Sequence, residues 1–336
     1  MPLAPNTPLG AFTNLTVAAI NAALAQAGLA ATTGNVFYVD AVNGLDTNDG
    51  LTPSTTPGGR GPKATLAGGY ALLRSGYNDV LVLIGNGAAS GSARIETFTW
   101  DKNAAHLVGV CAPSALSQRA RIANPTTSGL TITANFFTVS GNGCLFSNLS
   151  WFQGAGAGQT GIAAAICMTV SGQRNAFINC DFEGLGDSTS ATDTGSRNLL
   201  ITGGENLFSH CNIGLDTVQR TGANASVQIT SGAARTIFES CTFPFWSSDG
   251  LQYALLVAAA SGMDRFVLFK GCNFIAGVGT AIAQLFKLAA SSGGLVCLDN
   301  TSGVFGVTAV GDATSKAQTW VSGGTATNGV KGVVAT

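Results

Sequence analysis

Four short strings carry the reading of this sequence: "FINCDF" (177–182), "FSHCNI" (208–213), "FESCTF" (238–243) and "FKGCNF" (269–274). Their cysteines, Cys180, Cys211, Cys241 and Cys272, stand 31, 30 and 31 residues apart. Each has a phenylalanine three positions earlier and an apolar residue two positions later. One period upstream, "FSNLSW" (146–151) puts Phe146, Leu149 and Trp151 in the same slots. One shortened period downstream, "LDNTSG" (298–303) offers Leu298 and Thr301. Val139-Ser140-Gly141, Val170-Ser171-Gly172 and Ile201-Thr202-Gly203 each lie ten residues before the Leu/Cys position. Self-similarity at a fixed period of this length signals a repeat architecture.

A repeat near 30 residues with strand-like composition and no helical periodicity predicts an all-β fold, a single-stranded parallel β-helix. Coils then stack about 4.7–4.9 Å apart, so equivalent residues form columns. Phe and Cys occupy the inward columns, and Cys packs there as a small hydrophobe. Phe and Cys are three apart, so strict alternation would place them on opposite faces. A bend must fall between them, at Asn148, Asn179, His210, Ser240, Gly271 and Asn300. Asn, His and Gly tolerate positive φ, and stacked amides can hydrogen-bond along a column. His210 beside Cys211 therefore reads as one rung of a turn, not as a metal site or a nucleophile with its base. The column after the cysteines, Ser150, Asp181, Asn212, Thr242, Asn273 and Ser302, is small and polar, as suits an outer face. Parallel crossover connections favour a right-handed coil.

The bulk composition agrees. Of 336 residues, 46% are hydrophobic and only 10% charged, the reverse of a disordered chain. Sixteen basic and 17 acidic residues give a net charge of −1, with no basic stripe for nucleic acid or an anionic membrane. No run of 18 apolar residues suggests a spanning helix, and no positive region precedes the mildly apolar N-terminus, so no export signal is expected. Eight cysteines are too few for a disulfide-stapled fold.

Three segments follow along the chain. Residues 1–34 form an arm in which "NLTVAAINAALAQAG" reads as a short helix, with Asn14 as N-cap and Gly28 as its stop. Leu15, Ile20 and Leu24 lie on its apolar side, either against the arm's own domain or as a docking surface. Residues 35–310 form the β-helix. They open with a strand at Val36–Asp40, an Asn/Asp/Gly-rich loop, a capping helix over Lys63–Ser75, and strands at 80–85, 106–111 and 120–124. Residues 311–336 lose the period and read as a cap or tail.

"VFYVDAVNGLDTNDGLTP" followed by "KATLAGGYALL" resembles the entry to pectate-lyase-like right-handed parallel β-helix proteins, and the Phe-x-Asn-Cys-x-Phe coils resemble the same superfamily over residues 36–305. Low charge, abundant small residues and an arm without charged residues are also similar to bacteriophage virion β-helix proteins, among them tailspikes and head decoration proteins. The second resemblance implies a non-enzymatic capsid decoration or cement protein, present in the virion after synthesis in the host cytoplasm. Its partners would be the major capsid protein and further copies of itself, with a homotrimer expected from closed symmetry. The alternative is a polysaccharide-binding or -degrading tailspike-type β-helix.

Catalytic signals are sparse. A lyase of the superfamily implies stacked acidic calcium ligands with a nearby base, yet the outer column holds one acid. The hydrolases imply an Asp-Asp pair, a Gly-His-Gly and an Arg-x-Lys, and none of these strings occurs. Asp181 and Glu183, two apart on one strand, are the best pair for acid–base work on a glycoside, with Glu205, Asp216 and Arg220 expected in the next coil. "DTNDG" (46–50) departs from the EF-hand spacing. Asp40, Asp46 and Asp49 could hold an ion in another geometry, although a turn using Asn, Asp and Gly explains them as well. His106 reads as structural, and "GNGAASGSA" (85–93) lacks the Lys-Ser/Thr of a phosphate loop. No cofactor motif is present. A carbohydrate groove would draw on Phe245, Trp246 and Tyr253, while Trp151 belongs to the core by its column.

Overall fold

The computed structural model describes residues 34–111, 120–231, 233–259, 261–289, 294–311 and 319–321. The expected N-terminal helix, with Leu15, Ile20 and Leu24, lies outside the described residues. Within them the chain is a parallel β-helix of three long sheets. Sheet A has ten strands, from Val36–Asp40 to Thr319–Val321. Sheet B has eight, from Ala93–Arg94 to Gly303–Phe305, and sheet C eight, from Phe98–Trp100 to Val307–Gly311. Each coil visits A, then B, then C, and neighbouring coils pair in parallel register, as in Phe146↔Phe177↔Phe208↔Phe238↔Phe269. The strand at Thr319–Val321 carries sheet A into the segment read from sequence as a cap or tail.

Burial of the repeat's apolar columns forms one continuous core. The rings of Phe146, Phe177, Phe208, Phe238 and Phe269 stack with centroids 4.8–4.9 Å apart, the spacing that parallel strands impose. The cysteine thiols form a second column inside, each donating to a phenylalanine carbonyl of the preceding coil: Cys211 to Phe177 and Cys272 to Phe238, both at 3.3 Å. No disulfide joins the cysteines of the described residues, and burial pushes the thiols of Cys211 and Cys241 far above the usual thiol range.

The bend between sheets A and B takes the expected form. Asn148, Asn179, His210, Ser240 and Gly271 have φ between 53° and 61°. Asn179 donates its amide to Asn148 at 3.1 Å, and Asn148 donates to the carbonyls of Gly109 and Cys111. Gly109 is glycine because a Cβ there would sit 2.0 Å from the Asn148 carbonyl oxygen. The last rung corrects the sequence reading. Asn300 has no positive φ, and Gly303, not Ser302, lies opposite Asn273. That turn is one residue longer, and Asp299 organises it by accepting from Gly271 N, Thr301 Oγ1 and Ser302 Oγ.

At the N-terminal end, helix α1 (Leu66–Leu72) packs Leu66 into the core and is shorter than the span expected. Thr65 caps it by accepting from Gly68 N, and Asp46 fixes the cap by accepting from Ala64 N, Thr65 N and Thr65 Oγ1. A second short helix, α2 (Ser188–Thr192), lies in the connection from sheet B to sheet C.

Candidate functional site

The outer face of sheet B is built by alternation. In the strand Asp181–Glu183, Phe182 points into the core, so Asp181 and Glu183 point outward. Register places Arg121, Ser150 and Asp181 in one outer column, and Ala123, Phe152 and Glu183 in the next. Around the first of these rungs lies a cleft of about 230 Å³ whose lining includes Arg94, Arg121, Asn124, Phe152, Gly154 and Gln159.

Arg121 is the centre of this cleft. Its guanidinium carbon lies 4.4 Å from the Phe152 ring centroid, and its Nη2 lies 3.5 Å from a Glu183 carboxylate oxygen. The stack and the ion pair together fix a planar donor fork, the geometry in which arginine recognises carboxylates and phosphates. Arg121 Nε is buried without a hydrogen-bond partner among the described residues. Arg94, at the rim, donates to the carbonyls of Asn124 at 2.8 Å and Ala89 at 2.6 Å. Partial burial, with the neighbouring Arg121 charge, holds the Arg94 guanidinium below its usual range. Among the described residues the lining contributes two guanidiniums and no carboxylate, with Glu183 paired to Arg121. The Gly154–Gln159 loop supplies small residues at the rim, and Gln159 ties it down by donating to the Pro125 carbonyl at 2.6 Å.

The acids singled out from sequence do not converge on an open site. Asp181 and Glu183 share a face as expected, yet both are buried, at 0% and 1% exposure, so neither carboxylate is presented to a saccharide in solution. Glu205 sits on a different edge, in the turn leading into sheet A, ion-paired with Arg174 and Arg235. Asp216 is exposed on the connection after sheet B. Arg220 is not beside the acids but buried within the coil. Of the aromatics expected in a groove, Phe245 and Tyr253 are buried and Trp246 is partly open, while Trp151 lies in the core as its column implied. Phe152 is the aromatic that lines the cleft.

Asp40, Asp46 and Asp49 are likewise kept apart by local duties. Asp40 accepts from Val42 N and Asn43 N, and Asp49 from Leu51 N and Gly61 N, while Asp46 serves the helix cap. These bonds hold all three carboxyls below the usual carboxylate range, against the opposing effect of burial. No group of three metal-ligating side chains occurs among the described residues. His106 is structural: its Nδ1 accepts from Leu145 N at 3.0 Å.

No family model matches this sequence, and no curated protein does. Among solved structures, the chain is similar to pectin methylesterase PemA from Erwinia chrysanthemi, with 16% identity over 82% of each chain and a TM-score of 0.48. It is similar to a rhamnogalacturonan lyase, with 15% identity over 81% of this chain and 68% of that one, and a TM-score of 0.49. It is also similar to pectate lyase Pel9A, with 13% identity over 86% of this chain and 75% of that one, and a TM-score of 0.49. These are parallel β-helix proteins, and the likeness is one of fold.

Proposed function

We propose that this β-helix is a polysaccharide-binding protein that takes an acidic saccharide in the Arg94–Arg121 cleft. The observation that carries the reading is Arg121, held between Phe152 and Glu183 with one donor unspent and a second guanidinium beside it. A sugar carboxylate would accept from both arginines, while the glycine-lined rim lets a pyranose ring approach the backbone. The rigid stack of coils keeps the arginines fixed, so little ordering cost falls on binding. Binding rather than cleavage is favoured because Asp181 and Glu183 are buried, and Glu183 pairs with Arg121 instead of meeting substrate.

Calorimetric titration with oligomers of uronic acids, against a neutral cello-oligosaccharide of equal length, tests this reading. A charge-assisted contact is worth about 1.5–3 kcal/mol, so Arg121→Gln is expected to weaken acidic-oligomer binding by about tenfold or more. Equal affinity for neutral and acidic oligomers, or an unaffected Arg121→Gln variant, would refute it.

A second reading, a structural component of a phage particle, draws on the opposite end of sheet B. There Ile275, Val278 and Phe305 are exposed at 39%, 53% and 57%, and Ile275 lies directly opposite Phe305 on the neighbouring strand. An apolar patch on a rigid rod suits a docking surface, for a capsid protein or for further copies in a trimer. Quantitative mass spectrometry of purified particles tests it: a fixed stoichiometry to the major shell protein supports the reading, and absence from particles removes it.

A further inference from the structure

The interior of the coil holds a cation with no counter-charge among the described residues. Arg220 is inserted from the connection after sheet B, and its backbone is joined to the next coil through Trp246 O and Ser248 N. Its side chain is 2% exposed. Nε donates to Asn224 Oδ1 at 2.9 Å, Nη1 to Ser226 Oγ at 3.1 Å, and the guanidinium carbon lies 5.2 Å from the Phe245 ring centroid. Nη2 has no hydrogen-bond partner among the described residues. Asn198 is opposite Ser226 on the adjacent strand of sheet C, as the flanking pairs Arg197↔Ala225 and Leu199↔Val227 require. It is fully buried, and neither its Nδ2 nor its Oδ1 has a partner among the described residues.

Charge makes these orphans significant. A buried ion without a partner is far more costly than a buried polar group without one. Burial, reinforced by the nearby Arg197 cation, lowers Arg220 to about 9, so it remains charged at neutral pH. Arg197 has its own acidic neighbour in Asp193, whereas the charge acting on Arg220 is another cation. Its hydrogen bonds go to a neutral amide and a hydroxyl, which supply no negative charge.

We propose that the interior of the coil binds one small inorganic anion, a halide such as chloride, between Arg220 Nη2 and the Asn198 amide. The ion neutralises Arg220, accepts from the two orphaned donors, and fastens the Gly214–Asn224 connection to the strands of sheet C. It is a site separate from the saccharide cleft. A halide suits it because one spherical acceptor can meet a donor from the connection and a donor from a strand without needing donors of its own.

Two measurements on the full chain decide the matter. Crystals grown with bromide in place of chloride should show an anomalous peak at Arg220. Thermal unfolding at equal ionic strength should give a midpoint higher by about 2 °C or more in chloride than in gluconate, through preferential binding to the folded state. Arg220→Met should abolish that difference, and should it fail to fold, Asn198→Leu should reduce it. Arg94→Gln with Arg121→Gln should leave it intact, separating the interior site from the cleft. A bromide map with only water-like density at Arg220, with midpoints equal in both salts, would overturn the proposal.

Discussion

His106 shows how one side chain reports on the whole entry to the coil. Its Nδ1 accepts a backbone N–H, so the ring proton sits on Nε2, 3.3 Å from Asn78 Oδ1. Burial therefore favours the neutral ring and lowers its pKa from 6.5 to about 4. Because the folded value is the lower one, the unfolded chain takes up a proton first as pH falls. The contribution of His106 is thus complete above pH 6.5 and is lost between there and pH 4, amounting to about 3 kcal/mol. Urea unfolding at pH 7 and pH 4.5 should show this loss, and His106→Asn should flatten it. In the core, Phe208 lies between two stacked rings. Phe208→Ala should cost about 3–5 kcal/mol and Phe208→Leu less than half of that, read by chemical denaturation.

Among the elements, the bend between sheets A and B was the most legible in the sequence, since an odd spacing between two inward residues demands a turn. Asn179 does two things there: it adopts φ 55° and donates to Asn148. Asn179→Gly keeps the backbone and loses the amide, whereas Asn179→Ala loses both. The alanine variant should be less stable than the glycine variant by about 1 kcal/mol in denaturant titration. The final bend was misread because its longer turn rests on Asp299, a residue outside the repeating slots. In the entry loop, Asp40 and Asp49 accept from backbone N–H groups two and three or more residues on, the bonding of the turn that was one of the two readings. The loop's link to helix α1 through Asp46 was hidden, because Asp46 and Thr65 stand 19 positions apart across a stretch that carries no periodic signal.

Across the whole molecule, sheet B changes character along its length, from arginines in the first coils to exposed Ile275, Val278 and Phe305 in the last. The parallel stack was readable from period alone, because every coil repeats the same inward residues. The cleft was not, since Arg94, Arg121 and Phe152 lie before the cysteine repeats begin. One signal was available: the outer column Ser150–Asp181, extended one coil back, arrives at Arg121. That Asp181 and Glu183 are buried on an outward face depends on packing across coils, which strand alternation alone does not reveal. Binding through the cleft should also weaken steeply as salt is raised, a screening effect that a neutral-sugar site would not show.

The most direct test of the saccharide cleft is a crystal structure of the protein soaked with a uronic-acid tetrasaccharide. A sugar carboxylate within hydrogen-bonding distance of both Arg94 and Arg121, beside Phe152, is the expected result. A saccharide bound elsewhere on the coil with this cleft holding only solvent would contradict it.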